Sequence, residues 1–155
     1  MKTSCKEDEL GGGFILKKIL VATDASEYSR QAFKSALELA RNFHVEIEVL
    51  FVMYKPLVYD ADLLGGEVIP PFQTELKSEL VIESTLEGFD ITGVTVTKKV
   101  VQGKPANLIL REIEDENIDL VVMGSHGYGA IAGAILGSVS QRVLHGAKCS
   151  VLIAR

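Results

Sequence analysis

Short apolar runs alternate along this chain with stretches of helical period, and that alternation predicts most of its architecture. Ile15–Val21, with its core at Ile19-Leu20-Val21-Ala22, reads as a first strand, and Val45–Val52 as a second. Val94–Val101 alternates through Val94, Val96, Lys98 and Val100, the pattern of a half-exposed strand at or near a sheet edge. Ile118–Met123 and Cys149–Ala154 complete the set. Continuous apolar runs rich in β-branched residues suit strands covered on both faces.

Between the strands the period changes. Thr23-Asp24-Ala25-Ser26 opens a helix, with Asp24 or Ser26 as its cap, and Phe33, Ala36, Leu37 and Ala40 form one apolar stripe before an end near Asn42. A second helix is expected over Phe72–Leu86, with Phe72, Leu76 and Leu80 facing inward. Glu75, Glu79, Glu83 and Glu87 make its solvated side. Gly103-Lys104-Pro105 starts a third, with proline at the first helical position and a stripe of Ala106, Ile109, Leu110 and Ile113. The last helix runs from about Ser138 to His145, with Gly146 as its stop. Strands alternating with helices in this way imply a parallel sheet with right-handed crossovers and helices on both faces. Such open sheets bind ligands outside the C-terminal strand ends, here Ala22-Thr23-Asp24, Val52-Met53 and Met123-Gly124.

Two stretches carry no period. Residues 1–13, ending in Gly11-Gly12-Gly13, are expected to be a flexible extension of a domain over 14–155, and Tyr54 through Pro71 has the turn residues of a long loop. A chain of 155 residues is one ordinary domain, and its −5 net charge argues against a nucleic-acid partner, which calls for a basic face. Met1–Leu10 lacks the apolar segment of a signal peptide. Leu120–Gln141 is uncharged but broken by polar residues and glycines, so no membrane span is expected. Cys5 and Cys149 have neither metal-ligand nor disulfide-framework spacing, which fits a cytoplasmic protein.

The chemistry concentrates after the fourth strand. Met123-Gly124-Ser125-His126-Gly127 is followed by nine residues and then Gly137-Ser138-Val139-Ser140 at a helix start. Glycines let backbone N–H groups approach a phosphate, and a helix N-terminus adds free donors and a favourable dipole. No acidic residue follows Asp119, so nothing there repels an anion. The P-loop pattern is absent, since Gly146-Ala147-Lys148-Cys149 fails it. Gly127-Tyr128-Gly129-Ala130-Ile131-Ala132 fits the loose dinucleotide pattern without the later acid that a ribose needs. Ser125 and His126 are adjacent in sequence, a poor arrangement for a nucleophile and its base, and three histidines suggest no metal site.

These residues resemble the universal stress protein family. Ile19 through Glu27 looks like that family's first βα unit. Gly124-x2-Gly127-x9-Gly137-Ser138 is similar to the signature of its ATP-binding branch, and Gly103-x-Pro105 and Cys149–Ile153 fall where the family has them. The resemblance implies an open, Rossmann-like (adenine-nucleotide α-hydrolase-like) α/β fold, a five-stranded parallel sheet of order 3-2-1-4-5. It places adenine against Ala22, Thr23, Asp24 and Val52, and ribose at Met123 and Gly124. Phosphates would lie on Gly127, Gly137, Ser138, Val139 and Ser140, with Mg²⁺ or Mn²⁺ held through the phosphate oxygens. It further implies a stress-response or signalling role with slow or no ATP hydrolysis, and a homodimer formed through Cys149–Ala154. The chain departs from the family at Tyr128–Leu136, where ATP-binding members often carry a basic residue, and at Ser150, where they have proline. A nucleotide-independent dimeric scaffold and an ATP-using enzyme with a separate substrate are the alternatives.

Several residues have a plainer role open to them. Asp24 can serve the first helix as well as adenine, and Ser138 can cap its helix. His126 reads as a polar loop residue, Cys149 as a buried inert thiol, and Gly129 and Gly133 as close-packing positions. Lys104 and Arg142 are basic residues within possible reach of a phosphate.

Overall fold

The structure, a computed structural model, describes residues 15–54, 71–127 and 135–155, and of 71–76 only the backbone. The expected extension (1–13), most of the long loop, and Gly129 and Gly133 therefore lie outside the described residues. The elements follow the expected alternation: β1 (Lys18–Thr23), α1 (Glu27–Phe43), β2 (Glu46–Met53), α2 (Pro71–Leu86), β3 (Val96–Gln102), α3 (Pro105–Asp115), β4 (Leu120–Gly124), α4 (Ser138–Gly146) and β5 (Ser150–Ala154). The five strands are parallel and ordered β3-β2-β1-β4-β5, as the family resemblance implies.

Period-2 alternation sends each central strand's residues to two cores. Ile19 and Val21 of β1, Ile47 and Val49 of β2 and Val122 of β4 pack beneath α1 and α2, against Phe33, Leu37 and Ile82. Leu20, Leu50, Val52, Val121 and Met123 face the other way, onto Ile109 and Ile113 of α3 and Val143 of α4. Ile19–Ala22 of β1, Val49–Met53 of β2 and Leu120–Met123 of β4 thus read as continuous apolar runs because both faces are covered. β3 stands at an edge with Lys98 and Val100 exposed, as its alternation predicts.

The structure corrects several local expectations. On α2 the inward face is Ser78, Ile82, Thr85 and Leu86, while Leu80 is 58% exposed. The apolar stripe misleads there because two hydroxyl residues take core positions: Thr85 donates to the Val81 carbonyl at 2.9 Å and lies 2.6 Å from Thr23 Oγ1, and Ser78 donates to Met53 Sδ at 3.7 Å. Gly146 does not end α4 by a left-handed turn. The helix stops at Ala147, in extended conformation, whose N–H donates to the Val143 carbonyl at 2.8 Å. Gly146 serves packing, since a Cβ there would lie 2.9 Å from Leu110 Cδ1 on α3. Cys149 precedes β5 and is half-buried, and burial pushes its thiol pKa up, as suits an unreactive group.

Phe33 is fully buried, its ring edge-on to Phe89 with centroids 5.3 Å apart. Phe33→Ala is expected to cost about 3–5 kcal/mol, read as a lower urea midpoint. An unchanged midpoint would mean that the α1-side core is organised differently.

Candidate functional site

The chain leaves β1 toward β2 on one side and reaches β4 on the other, so the ends of these three strands meet where strand order reverses. Ala22 lies in register with Leu50 of β2 and with Met123 of β4. A cleft of about 170 Å³ opens above them.

Its β1 wall is fixed by hydroxyl groups. The Thr23 hydroxyl accepts the Ala25 N–H at 3.0 Å and lies 2.6 Å from Thr85 Oγ1 and 3.1 Å from Ser29 Oγ. Ala25 takes a left-handed conformation (φ 63°), and Asp24 Oδ1 accepts the Ser26 N–H at 2.9 Å across it. The N-cap of α1 is Ser26, which accepts the Ser29 N–H at 3.2 Å. Of the two candidate caps, Asp24 therefore orders the turn and Ser26 caps the helix.

The opposite wall is built on the end of β4. Gly124 passes so close to α1 that a Cβ would lie 2.6–2.8 Å from Tyr28 Cβ, C and O. Beyond it, Ser125 N–H donates to the Ala154 carbonyl at 2.9 Å and Gly137 N–H to the Ser125 carbonyl at 2.7 Å. Ser140, buried, donates its hydroxyl to the Gly124 carbonyl at 2.8 Å. These bonds draw the N-terminus of α4 back onto the strand it left. Gly137 is the N-cap of α4 and makes no side-chain capping bond, so Ser138 is the first helical residue and not the cap.

Of the residues singled out in the sequence, Ala22, Thr23, Asp24, Val52, Met123 and Gly124 line the cleft together. Gly127, Val139 and Ser140 line it as well. Gly137 and Ser138 stand at the start of α4, outside the lining, with Ser138 exposed. Sequence reasoning did not place Ser29, Leu50, Pro105, Ile109 or His126 on the lining. Leu50 was legible, because it precedes Val52 by two on one strand face. His126, read as a loop residue, holds its Nδ1 3.1 Å from Ser125 Oγ and its ring 5.4 Å from the ring of Tyr28. Ser29 carries no such signal, being one hydroxyl within a helix. Lys104 and Arg142 are exposed and do not line the cleft.

The floor is apolar at Ala22, Leu50, Val52, Ile109 and Met123, and polar groups converge at the rim, the composition of a small-molecule site. Among the described residues, no group of three or more His, Cys, Asp or Glu side chains is placed to hold a metal ion. No helix there is long and apolar enough to cross a membrane.

An open parallel α/β sheet with a cleft at its switch point, bounded by a glycine turn and a helix N-terminus, places this chain among the doubly wound α/β proteins. Residues 16–155 match the model of the universal stress protein family, and the chain belongs to that family. The universal stress protein YxiE of Bacillus subtilis is 31% identical over 148 residues, covering 91% of this chain and all of YxiE. The solved structure of MJ0577, from Methanocaldococcus jannaschii, superposes with a TM-score of 0.70 at 28% identity, over 90% of this chain and 96% of that one. A universal stress protein solved in complex with cAMP has the same fold at 22% identity and a TM-score of 0.61, covering 90% and 96%.

The two glycines facing the cleft make opposite demands. A Cβ at Gly124 would collide with the backbone of α1, whereas one at Gly127 would meet only the Asp24 carboxylate, 2.4 Å from Oδ2. Gly124→Ala is therefore expected to lose about 1–3 kcal/mol in urea unfolding, as overpacking does, while Gly127→Ala keeps near wild-type stability. Equal losses would mean that the turn after β4 is not placed as described.

Proposed function

We propose that this chain is an ATP-binding universal stress protein, a nucleotide-dependent stress-response or signalling module of the cytoplasm that hydrolyses ATP slowly or not at all. One observation carries the reading. The apolar slot at the switch point leads directly to Gly127 and to the N-terminus of α4, where backbone approach is close enough that a Cβ at Gly137 would lie 3.3 Å from His126 Cα. A flat apolar base fits the slot between Ala22, Val52 and Met123, with ribose at Gly124. The unpaired N–H groups at the start of α4 suit phosphate oxygens. Gly127, Ser138 and Val139 would hold the phosphates, with Gly137, whose N–H is given to the Ser125 carbonyl, keeping the backbone close beneath them, and Mg²⁺ or Mn²⁺ would be held through phosphate oxygens. The Ser140 hydroxyl, given to Gly124, braces this arrangement. That a protein of this fold was solved with cAMP agrees with an adenine nucleotide as ligand. Slow or absent turnover agrees with a described lining whose one carboxylate, Asp24, serves the turn before α1 by accepting the Ser26 N–H.

A homodimer through Cys149–Ala154 belongs to the same proposal. β5 is an edge strand with Leu152 38% exposed, and a second copy pairing there would cover it. One observation favours a nucleotide-independent scaffold as the second reading, for neither lysine nor arginine lines the cleft among the described residues.

Thermal unfolding with Mg·ATP separates the two. Ligand at about 100 times its Kd adds about 2.7 kcal/mol of stability, so a rise in Tm with ATP is expected. Gly127→Val and Gly137→Val are each expected to fold and to abolish that rise. No shift in the wild-type protein at millimolar ATP would overturn the nucleotide reading in favour of the scaffold.

A further inference from the structure

At the opposite end of the sheet, away from the cleft, one layer of the α3-side face is charged where the layer above it is apolar. Lys18, Glu48 and Lys99 each precede by two residues a member of the apolar layer, Leu20, Leu50 and Val101. Glu112 and Glu116 of α3 close over them. The contacts run around a ring. Glu48 Oε2 pairs with Lys18 Nζ at 2.8 Å, and Lys18 with Glu116 at 3.0 Å. Glu116 pairs with Lys99 at 3.5 Å, and Lys99 in turn pairs closely with Glu112. The ring closes where Glu112 meets Glu48, and a ring of three acids and two bases cannot alternate all the way round.

The closing link is where the polar bookkeeping fails. Glu48 is only 4% exposed, and its Oε1 has no hydrogen-bond partner, the single buried side-chain N or O so placed among the described residues. An unpaired oxygen of a buried carboxylate is costly, and two adjacent ionised carboxylates add repulsion. One proton removes both penalties. We infer that the Glu48–Glu112 contact is a proton-binding site, in which a protonated Glu112 donates its O–H to Glu48 Oε1 and the carboxylate of Glu48 stays with Lys18. The inference is independent of the nucleotide reading.

The groups facing the pair from every neighbouring element are Lys18 of β1, Lys99 of β3 and Glu116 of α3. Burial pushes the Glu112 carboxyl above its ordinary value, with Lys99 opposing and Glu48 reinforcing the shift. Glu116 is held below its ordinary value by Lys18 and then Lys99. The two acids therefore act on stability with opposite sign. A raised Glu112 binds its proton more tightly folded than unfolded, so its contribution is present at low pH. That contribution is lost as pH climbs from the ordinary glutamate value through the raised one. The contribution of Glu116 is present above the ordinary value and disappears as pH falls through its lowered one, so the two windows do not overlap.

Two measurements on the full chain test this. In wild-type protein carrying ¹³C at the glutamate side-chain carboxyls, Glu112 is expected to titrate above the glutamates of the unfolded chain. Glu112→Gln supplies a permanent N–H donor to Glu48 in the same shape. As pH climbs from the ordinary glutamate value through the raised one, wild-type stability in urea is expected to fall relative to E112Q, with E112Q at least as stable once Glu112 is ionised. Titration of Glu112 at or below the unfolded-chain value would overturn the inference. So would an E112Q stability below wild type by the same amount at every pH. The first measurement decides the matter even if E112Q fails to fold.

Discussion

The close passage of β4 beneath α1 at Gly124 is the constraint on which the site depends. With a Cβ 2.6–2.8 Å from Tyr28 atoms, no other residue fits without moving the helix. That contact lets the first turn of α1 and the end of β4 stand side by side, which brings Asp24 to Gly127. The Gly124 carbonyl then receives the Ser140 hydroxyl, and the Ser125 carbonyl receives the Gly137 N–H, so α4 returns to the same point. Strand end, helix start and glycine turn are one packed unit, and the cleft is the space it leaves.

The sheet divides its chemistry by height. At the C-terminal ends of the strands the α3-side face carries Ala22, Val52 and Met123, apolar and open to a ligand. At the N-terminal ends the same face carries Lys18, Glu48 and Lys99, ringed by Glu112 and Glu116. A buried ionic ring is weak support for stability, because desolvation of its members offsets their attraction. It instead makes the lower end of the domain responsive to protons, while the upper end is mainly apolar and shaped by backbone. α3 touches both, with Pro105 and Ile109 at the cleft and Glu112 in the ring.

Much of this was legible in the sequence, for identifiable reasons. The five strands and four helices appear because period 2 and period 3.6 differ plainly in continuous runs such as Ile19–Ala22 and in the Phe33–Ala40 stripe. The glycine spacing pointed to one corner of the fold, and nine of the eleven residues that the family resemblance implied line one cleft. What escaped was side-chain satisfaction. Ser78 and Thr85 in the core of α2, Ser29 behind Thr23 and the buried Glu48 are polar residues whose burial depends on partners distant in sequence. The pairing of Thr85 with Thr23, and of Glu48 with Lys18, has no local signature. The roles of Gly146 and Gly124 were hidden for the same reason, since the neighbour that demands glycine lies on another element.

The proposed function puts an adenine nucleotide at the switch point with its phosphates at the start of α4. Titration of ¹⁵N-labelled protein with Mg·ATP, followed by amide chemical shifts, tests it most directly. Perturbations are expected to be confined to Ala22–Asp24, the end of β2, Met123–Gly127 and Gly137–Ser140, largest at the amides of Gly127 and Ser138. Perturbations absent at saturating ATP, or centred on the charged ring at the other end of the sheet, would contradict it.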